Sequence, residues 1–170
     1  ESMKNRIKAL SLFSNVGIYE AYFKQIGIDV LVANEIEKKR CDFYSHVYPY
    51  VDVVCGDITE NSIKEILVAK SINYGIDLVM STPPCQGMST AGKMEENDLR
   101  NSLICHSVAV IKKIKPKYVF FENVPEQLST KILFNGQRVL IPDYLHMEFD
   151  NEYVFNDNFL INAADYGVPQ

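Results

Sequence analysis

Cys85 stands in the segment Pro83-Pro84-Cys85-Gln86-Gly87, directly after an apolar run that ends at Thr82. Two prolines stiffen the backbone and push the residue before each into an extended conformation. A thiol on such a loop is held out rigidly, whereas the usual lone cysteine is buried and inert. Thiolate is a strong nucleophile that can also leave again, so covalent catalysis is the chemistry this position offers. Glu122 follows a second apolar run, Tyr118 to Phe121, and opens the segment Glu122-Asn123-Val124-Pro125. A carboxyl group there is poorly solvated, which favours its neutral form and suits it to give up a proton near neutral pH. The bland alternative for Glu122 is an N-cap or an ion pair.

Three more positions share the same placement, just past an apolar run. After Ile7 to Phe13 comes Ser14-Asn15-Val16-Gly17, a turn in which Gly17 and Asn15 tolerate left-handed backbone and let a ligand approach. Taken alone, it is equally an ordinary turn. Glu35 lies 20 residues past Asn15. A carboxylate there suits two adjacent ribose hydroxyls, or else the positive end of a following helix. Asp57, in Gly56-Asp57-Ile58, suits an adenine amino group or the start of the next helix, where Ser62 is a competing cap.

These positions make sense only if the elements before them are parallel strands. Ile7 to Phe13, Val30 to Ile36, Val51 to Cys55, Asp77 to Thr82 and Tyr118 to Glu122 read as five strands. Between them, Val16, Tyr19, Phe23 and Ile26 recur at helical spacing ahead of a stop at Gly27. Glu37 to Tyr48, Ile63 to Ile72 and Leu99 to Ile114 read as three further helices. Such alternation implies right-handed crossovers and a mostly parallel sheet with helices on both faces. In such a sheet, ligands bind beyond the carboxyl ends of the strands. Past Pro125, Asn135-Gly136 signals a hairpin between Ile132-Phe134 and Arg138-Leu140, and Phe159 to Ala163 reads as a late strand.

The 170 residues suit one domain, and 47% apolar residues suffice for a core. A formal charge of −5 argues against this segment gripping nucleic acid by itself. The only dense basic group, Lys112, Lys113, Lys115 and Lys117, reads as a solvated helix end. Cys41, Cys55, Cys85 and Cys105 form no C-x-x-C pair, and His46, His106 and His146 have no zinc-ligand spacing. The expectation is therefore reduced thiols, with Cys41, Cys55 and Cys105 structural and buried, and no metal. No membrane span or secretory signal is read, so the cytosol is the expected compartment.

The series PPCQG, DLRNSL, FFENV and NAADYGVPQ, in this order and spacing, resembles the cytosine-5 DNA methyltransferase family in its bacterial modification-enzyme form. The resemblance runs from about Leu10 to Gln170. It implies a Rossmann-like fold that binds S-adenosylmethionine and releases S-adenosylhomocysteine. By the same resemblance, Phe13, Asn15 and Gly17 line the methionine part of the cofactor. Glu35 holds its ribose, Ile36 packs on its adenine, and Asp57 with Ile58 meets the adenine edge. Pro83 and Leu103 also fall on the cofactor side. Cys85 and Glu122 are then the catalytic pair, and Pro83, Gln86 and Asn123 meet the target base. Asn15 and Ile18 stand where the family usually has glycine. The implied reaction adds Cys85 to carbon 6 of a flipped cytosine, while Glu122 protonates N3 and carbon 5 takes the methyl group.

Members of the family continue into a Gln-x-Arg-x-Arg motif, a target-recognition domain and a helix returning to the cofactor pocket. The chain thus reads as the cofactor-binding and catalytic part, residues 1–170, with the recognition domain missing. Duplex DNA would be engaged through that domain, or through a complementary partner chain. The rivals are an RNA cytosine-5 methyltransferase and a cofactor-binding subunit that needs a partner. Gly87-Met88-Ser89 resembles the DNA enzymes. A nucleotide-dependent oxidoreductase would leave PPCQ and ENV unexplained, and an adenine-N6 enzyme would carry an aromatic residue where Cys85 stands.

Overall fold

A computed structural model describes residues 6–84, 103–123, 125–156 and 160–167. The chain forms two compact units, residues 1–123 and 124–170.

The first unit is an open α/β sheet. Its strands are β1 (Ile7–Leu12), β2 (Ile28–Glu35), β3 (Asp52–Cys55), β4 (Leu78–Ser81) and β5 (Tyr118–Phe121). They lie in the order β3-β2-β1-β4-β5, and every pairing is parallel. The chain steps outward from β1 to β3, then crosses back to β4 and steps the other way. Right-handed crossovers therefore place α1 (Glu20–Phe23) and α2 (Lys38–Val47) on one face. They place α3 (Asn61–Tyr74) and α4 (Leu103–Ile114) on the other. The direction of winding reverses between β1 and β4, which is where a crevice opens at the carboxyl edge.

Apolar runs become strands because both faces of the sheet are covered: Leu10, Leu12, Val32 and Val79 are wholly buried. On the α2 face, Tyr44 packs with Ala9, Val30, Ala33 and Val51. On the other face α4 buries Ile104, Val108, Val110 and Ile111, and the Ser81 and Ser107 hydroxyls share a buried hydrogen bond of 2.8 Å between β4 and α4.

Several expectations need correction. The first helix is a single turn, Glu20–Phe23, continued as a 3-10 turn Lys24–Ile26 that Gly27 ends in left-handed conformation. Only part of its spaced apolar set faces inward: Phe23 packs against the core and Val16 is half-buried, but Tyr19 and Ile26 are exposed, and Glu20 is the buried member. Cys55 is exposed, because it is the last residue of β3, an edge strand. Tyr118 and Phe120 are about half exposed for the same reason at β5. Neither Asp57 nor Ser62 caps α3, whose N-cap residue is Glu60 without a side-chain bond. Lys112, Lys113, Lys115 and Lys117 are all solvated, as the helix-end reading requires. The predicted start of the fourth helix at Leu99 lies outside the described residues.

In the second unit, the hairpin forms at Asn135-Gly136, between β6 (Lys131–Phe134) and β7 (Gln137–Leu140). Both turn residues have positive φ, as that turn requires. α5 (Ile141–Phe149) follows, an element the sequence reading missed. In place of the late strand, Leu160 to Asn162 is irregular and Ala163–Tyr166 forms a 3-10 turn, capped by the side-chain Oδ1 of Asn162, which accepts from the Ala164 N–H. Phe159 lies outside the described residues.

Candidate functional site

The five parallel strands bring the loops after β1, β2, β3, β4 and β5 to one edge of the sheet. Phe13, Asn15, Gly17, Glu35, Ile36, Asp57, Ile58, Pro83, Glu122 and Asn123 all lie on these loops or at the strand ends that feed them. Leu103 is the half-buried first residue of α4. Cys85 and Gln86 lie outside the described residues, as do Val168, Pro169 and Gln170.

The turn after β1 is built from strained backbone. Phe13 has φ 57°, Asn15 φ 51° and Gly17 φ 79°. Asparagine tolerates this region, but an aromatic residue there is uncommon and marks a site that its surroundings hold. Gly17 needs its missing side chain. A Cβ there would stand 2.5 Å from the Tyr48 ring and 2.8 Å from the Tyr44 ring. The Tyr48 hydroxyl donates to the Gly17 carbonyl at 2.6 Å, and the Tyr44 hydroxyl donates to buried Glu20 at 3.0 Å. Burial, with the Glu20 carboxylate beside it, pushes the Tyr44 phenol far above its ordinary range, so it stays a donor. The two rings pack with centroids 4.9 Å apart. A polar floor contributed by α1 and α2 thus sets the height of the turn.

Glu35 is 6% exposed and anchors three backbone groups. Its carboxylate accepts from the N–H of Asn15, Ile36 and Glu37, each at 3.0 Å. An ionised carboxylate offers about four lone-pair directions, so roughly one remains for another partner. Arg40 approaches Glu35 at 3.8 Å and pairs with Glu37 at 3.0 Å. Beside Glu35, Ile36 presents an apolar surface that is 63% exposed. Asp57 folds its own turn, with one carboxylate oxygen accepting from the Thr59 N–H at 2.9 Å. The side chain of Ile58 belongs to the core at 4% exposure, so this residue faces the edge through its backbone.

Asn34, absent from the sequence reading, joins these loops. Its side-chain amide donates to the carbonyls of Val54 at 2.9 Å and Gly56 at 3.0 Å. Its own carbonyl accepts from the Ser14 N–H at 3.0 Å. The signal for it was a fully polar side chain within the run Leu31-Val32-Ala33-Asn34, because a buried amide must be satisfied by specific partners.

On the other side of the β1/β4 crevice, Thr82 contacts the carbonyls of Leu12 and Phe13 at 3.4 Å. The Glu122 N–H donates to the Ser81 carbonyl at 3.2 Å. The Asn123 amide donates to the Pro83 carbonyl at 2.7 Å, holding the start of the Pro-Pro-Cys loop to the end of β5. Glu122 has a neighbour that sequence reasoning missed, the Tyr19 hydroxyl, which lies close enough to feel its carboxylate. Burial, then the negative charge of Glu122, raises the Tyr19 phenol above its ordinary value. No spacing in the sequence links residues 19 and 122; only the adjacency of β1, β4 and β5 does. Among the described residues no group of three or more histidine, cysteine or acidic side chains is placed to hold a metal.

The edge therefore offers an apolar platform at Ile36 between two acids, Glu35 and Asp57, on one side of the crevice. On the other it offers an acid, Glu122, next to Asn123, which holds Pro83. The first suits a nucleoside and the second a proton transfer.

The C-5 cytosine-specific DNA methylase family model matches residues 7–170. Type II methyltransferase M1.HgaI of Avibacterium volantium is 42% identical across 99% of this chain, which covers 48% of that protein. Type II methyltransferase M.AquIA of a Picosynechococcus strain is 32% identical across 96% of this chain, with 67% of its own length covered. A solved structure described as a DNA modification methyltransferase encoded within an E. coli prophage superposes with a TM-score of 0.74 at 25% identity. That match takes in 94% of this chain and 42% of that one. The chain spans about half the length of the first curated relative it matches.

Proposed function

The chain belongs to the C-5 cytosine-specific DNA methylase family, and from that premise we propose that the protein carrying it methylates carbon 5 of cytosine in duplex DNA, using S-adenosylmethionine. The observation that carries this reading is the joining of two motifs at the crevice. The Asn123 amide binds Pro83 at 2.7 Å, two residues ahead of Cys85 and one after Glu122.

The residues present fit the cofactor. The open Ile36 surface suits the adenine face, and the remaining lone pair of Glu35 suits a ribose hydroxyl. Asp57 suits the adenine amino group. The left-handed turn from Phe13 to Gly17, which a Cβ at Gly17 would block, leaves backbone for the methionine part. Pro83 and Leu103 complete this side. When bound, the cofactor supplies an electrophilic methyl group. Each remaining task falls to the protein.

Carbon 5 of cytosine is too weak a nucleophile to take a methyl group unaided. The Cys85 thiolate adds to carbon 6, which turns the ring into an enamine and moves electron density to carbon 5. Glu122 donates to N3 as negative charge develops there. Pro83, Gln86 and Asn123 border the base. After transfer the proton on carbon 5 departs and Cys85 is expelled. The base must leave the helix to meet both groups, so base flipping is part of the reading.

Duplex recognition is assigned to the portion that the longer relatives carry beyond the matched region, on the same chain or a partner chain. The test uses a protein that joins this chain to such a portion and follows labelled methyl transfer to cytosine carbon 5. Cys85→Ser is expected to abolish turnover, and Glu122→Gln to slow it by about 10²-fold or more. Normal methylation by Cys85→Ala would refute the mechanism.

A further inference from the structure

Two of the thiols outside the proposed mechanism are neighbours. Cys41 sits in the first turn of α2, 3% exposed, with its thiol against the Glu35 carbonyl at 3.3 Å. Cys55, the exposed last residue of β3, is paired in register with Glu35 itself. The strand register and the Sγ contact thus bring both side chains to the same peptide of β2. There each thiol is close enough to influence the other. One turn ahead, the Lys38 ammonium lies close enough to feel both thiols.

We infer that Cys41 and Cys55 form a redox-active dithiol that a low-molecular-weight disulfide converts into an intramolecular disulfide. The inference goes beyond the methylation reading and does not depend on it. Two side chains placed beside the same residue need only local movement to reach a bond of about 2.05 Å. The sequence of events follows from exposure. The thiolate of Cys55, accessible and near a cation, attacks one sulfur of the external disulfide and releases its first thiolate. That thiolate takes the Cys41 proton. The Cys41 sulfur then attacks the Cys55 sulfur and expels the second thiolate, which is protonated by solvent. Two protein thiols are oxidised and one external disulfide is reduced to two thiols.

Burial, then the neighbouring Cys55, pushes the Cys41 thiol up to about 12, so Cys41 is the resolving partner and not the first to react. The bond would tie the start of α2, just past Glu35, to the strand end just before Asp57.

Trypsin provides a direct readout, since cleavage after Arg40 and after Lys64 releases both cysteines in one peptide, residues 41–64. The folded chain is treated with oxidised glutathione, then denatured, alkylated and digested. The expected product is that peptide lighter by two hydrogens and carrying no alkyl group, with Cys105 still alkylated. In Cys41→Ser the reaction should stop at a glutathione adduct on Cys55. Three results in the unsubstituted chain would overturn the inference. One is a stable glutathione adduct on Cys55 with Cys41 still alkylated. The others are an unreacted Cys55 and a disulfide from Cys55 to another cysteine.

Discussion

Tyr19 shows how much of the site is invisible to spacing. Its hydroxyl lies beside Glu122, 103 residues away (122 − 19). Tyr19→Phe is expected to lower the rate of methylation by less than about tenfold, since it removes a neighbour of Glu122 and no reacting group. Labelled-methyl transfer by the joined protein checks this, and an unchanged rate would remove Tyr19 from the site. Glu35, by contrast, was legible, since an acid at the end of an apolar strand stands out. What the sequence did not reveal is that three of its acceptor directions go to Asn15, Ile36 and Glu37. It organises the turn whether or not a ribose is near. Asn34 escaped notice because a buried amide looks like a blemish in a strand until its partners are known.

Among the elements, strands β1 to β5 were recoverable because parallel strands buried on both faces leave continuous apolar runs. The first helix was not, since Glu20 replaces an apolar residue on the buried side and answers to Tyr44 on a distant helix. α5 was missed because a proline at its start and a following run of mixed polarity gave no clear period. The α3–α4 contact supplies a prediction about pH. The Lys64 ammonium stands 3.3 Å from His106 Nδ1, between the two helices. Burial, then Lys64, holds the His106 imidazole below its ordinary value of 6.5, while Asp57 opposes. The folded chain therefore binds fewer protons than the unfolded chain just below that pH, so stability falls as pH drops through 6.5. Denaturant midpoints measured from pH 8 to pH 5 should decline, and His106→Gln should flatten the decline. An equal slope in both proteins would place the effect elsewhere.

For the whole molecule, the fold class and the edge to which the candidate loops come follow from pattern and chirality, whereas in the second unit only the hairpin does. A net charge of −5 gives little attraction for a phosphate backbone, and extruding a base costs a few kcal/mol that other contacts must offset. The 170 residues by themselves are expected to fold, to bind S-adenosylmethionine weakly, and to transfer no label to mixed-sequence duplex DNA. Clear incorporation into cytosine by this chain alone would contradict that. No helix among the described residues is long and apolar enough to cross a membrane. The glycines divide the molecule in another way. Gly17 and Gly56, at the carboxyl edge, are packed against Tyr48 and Ile63, so an added Cβ would collide with a ring or a branched chain. Gly27 and Gly75, at the opposite edge, have nothing within 4 Å of such an atom, although their left-handed backbone still favours glycine. The carboxyl edge is cross-stitched by Asn34, Glu35, Thr82 and Asn123, and a change in the length of one loop there would misalign its neighbours. Lengthening at the Gly27 and Gly75 turns meets open solvent. Tags, linkers and inherited insertions have room to accumulate on that side, so the molecule has one edge that can be rewritten and one that cannot.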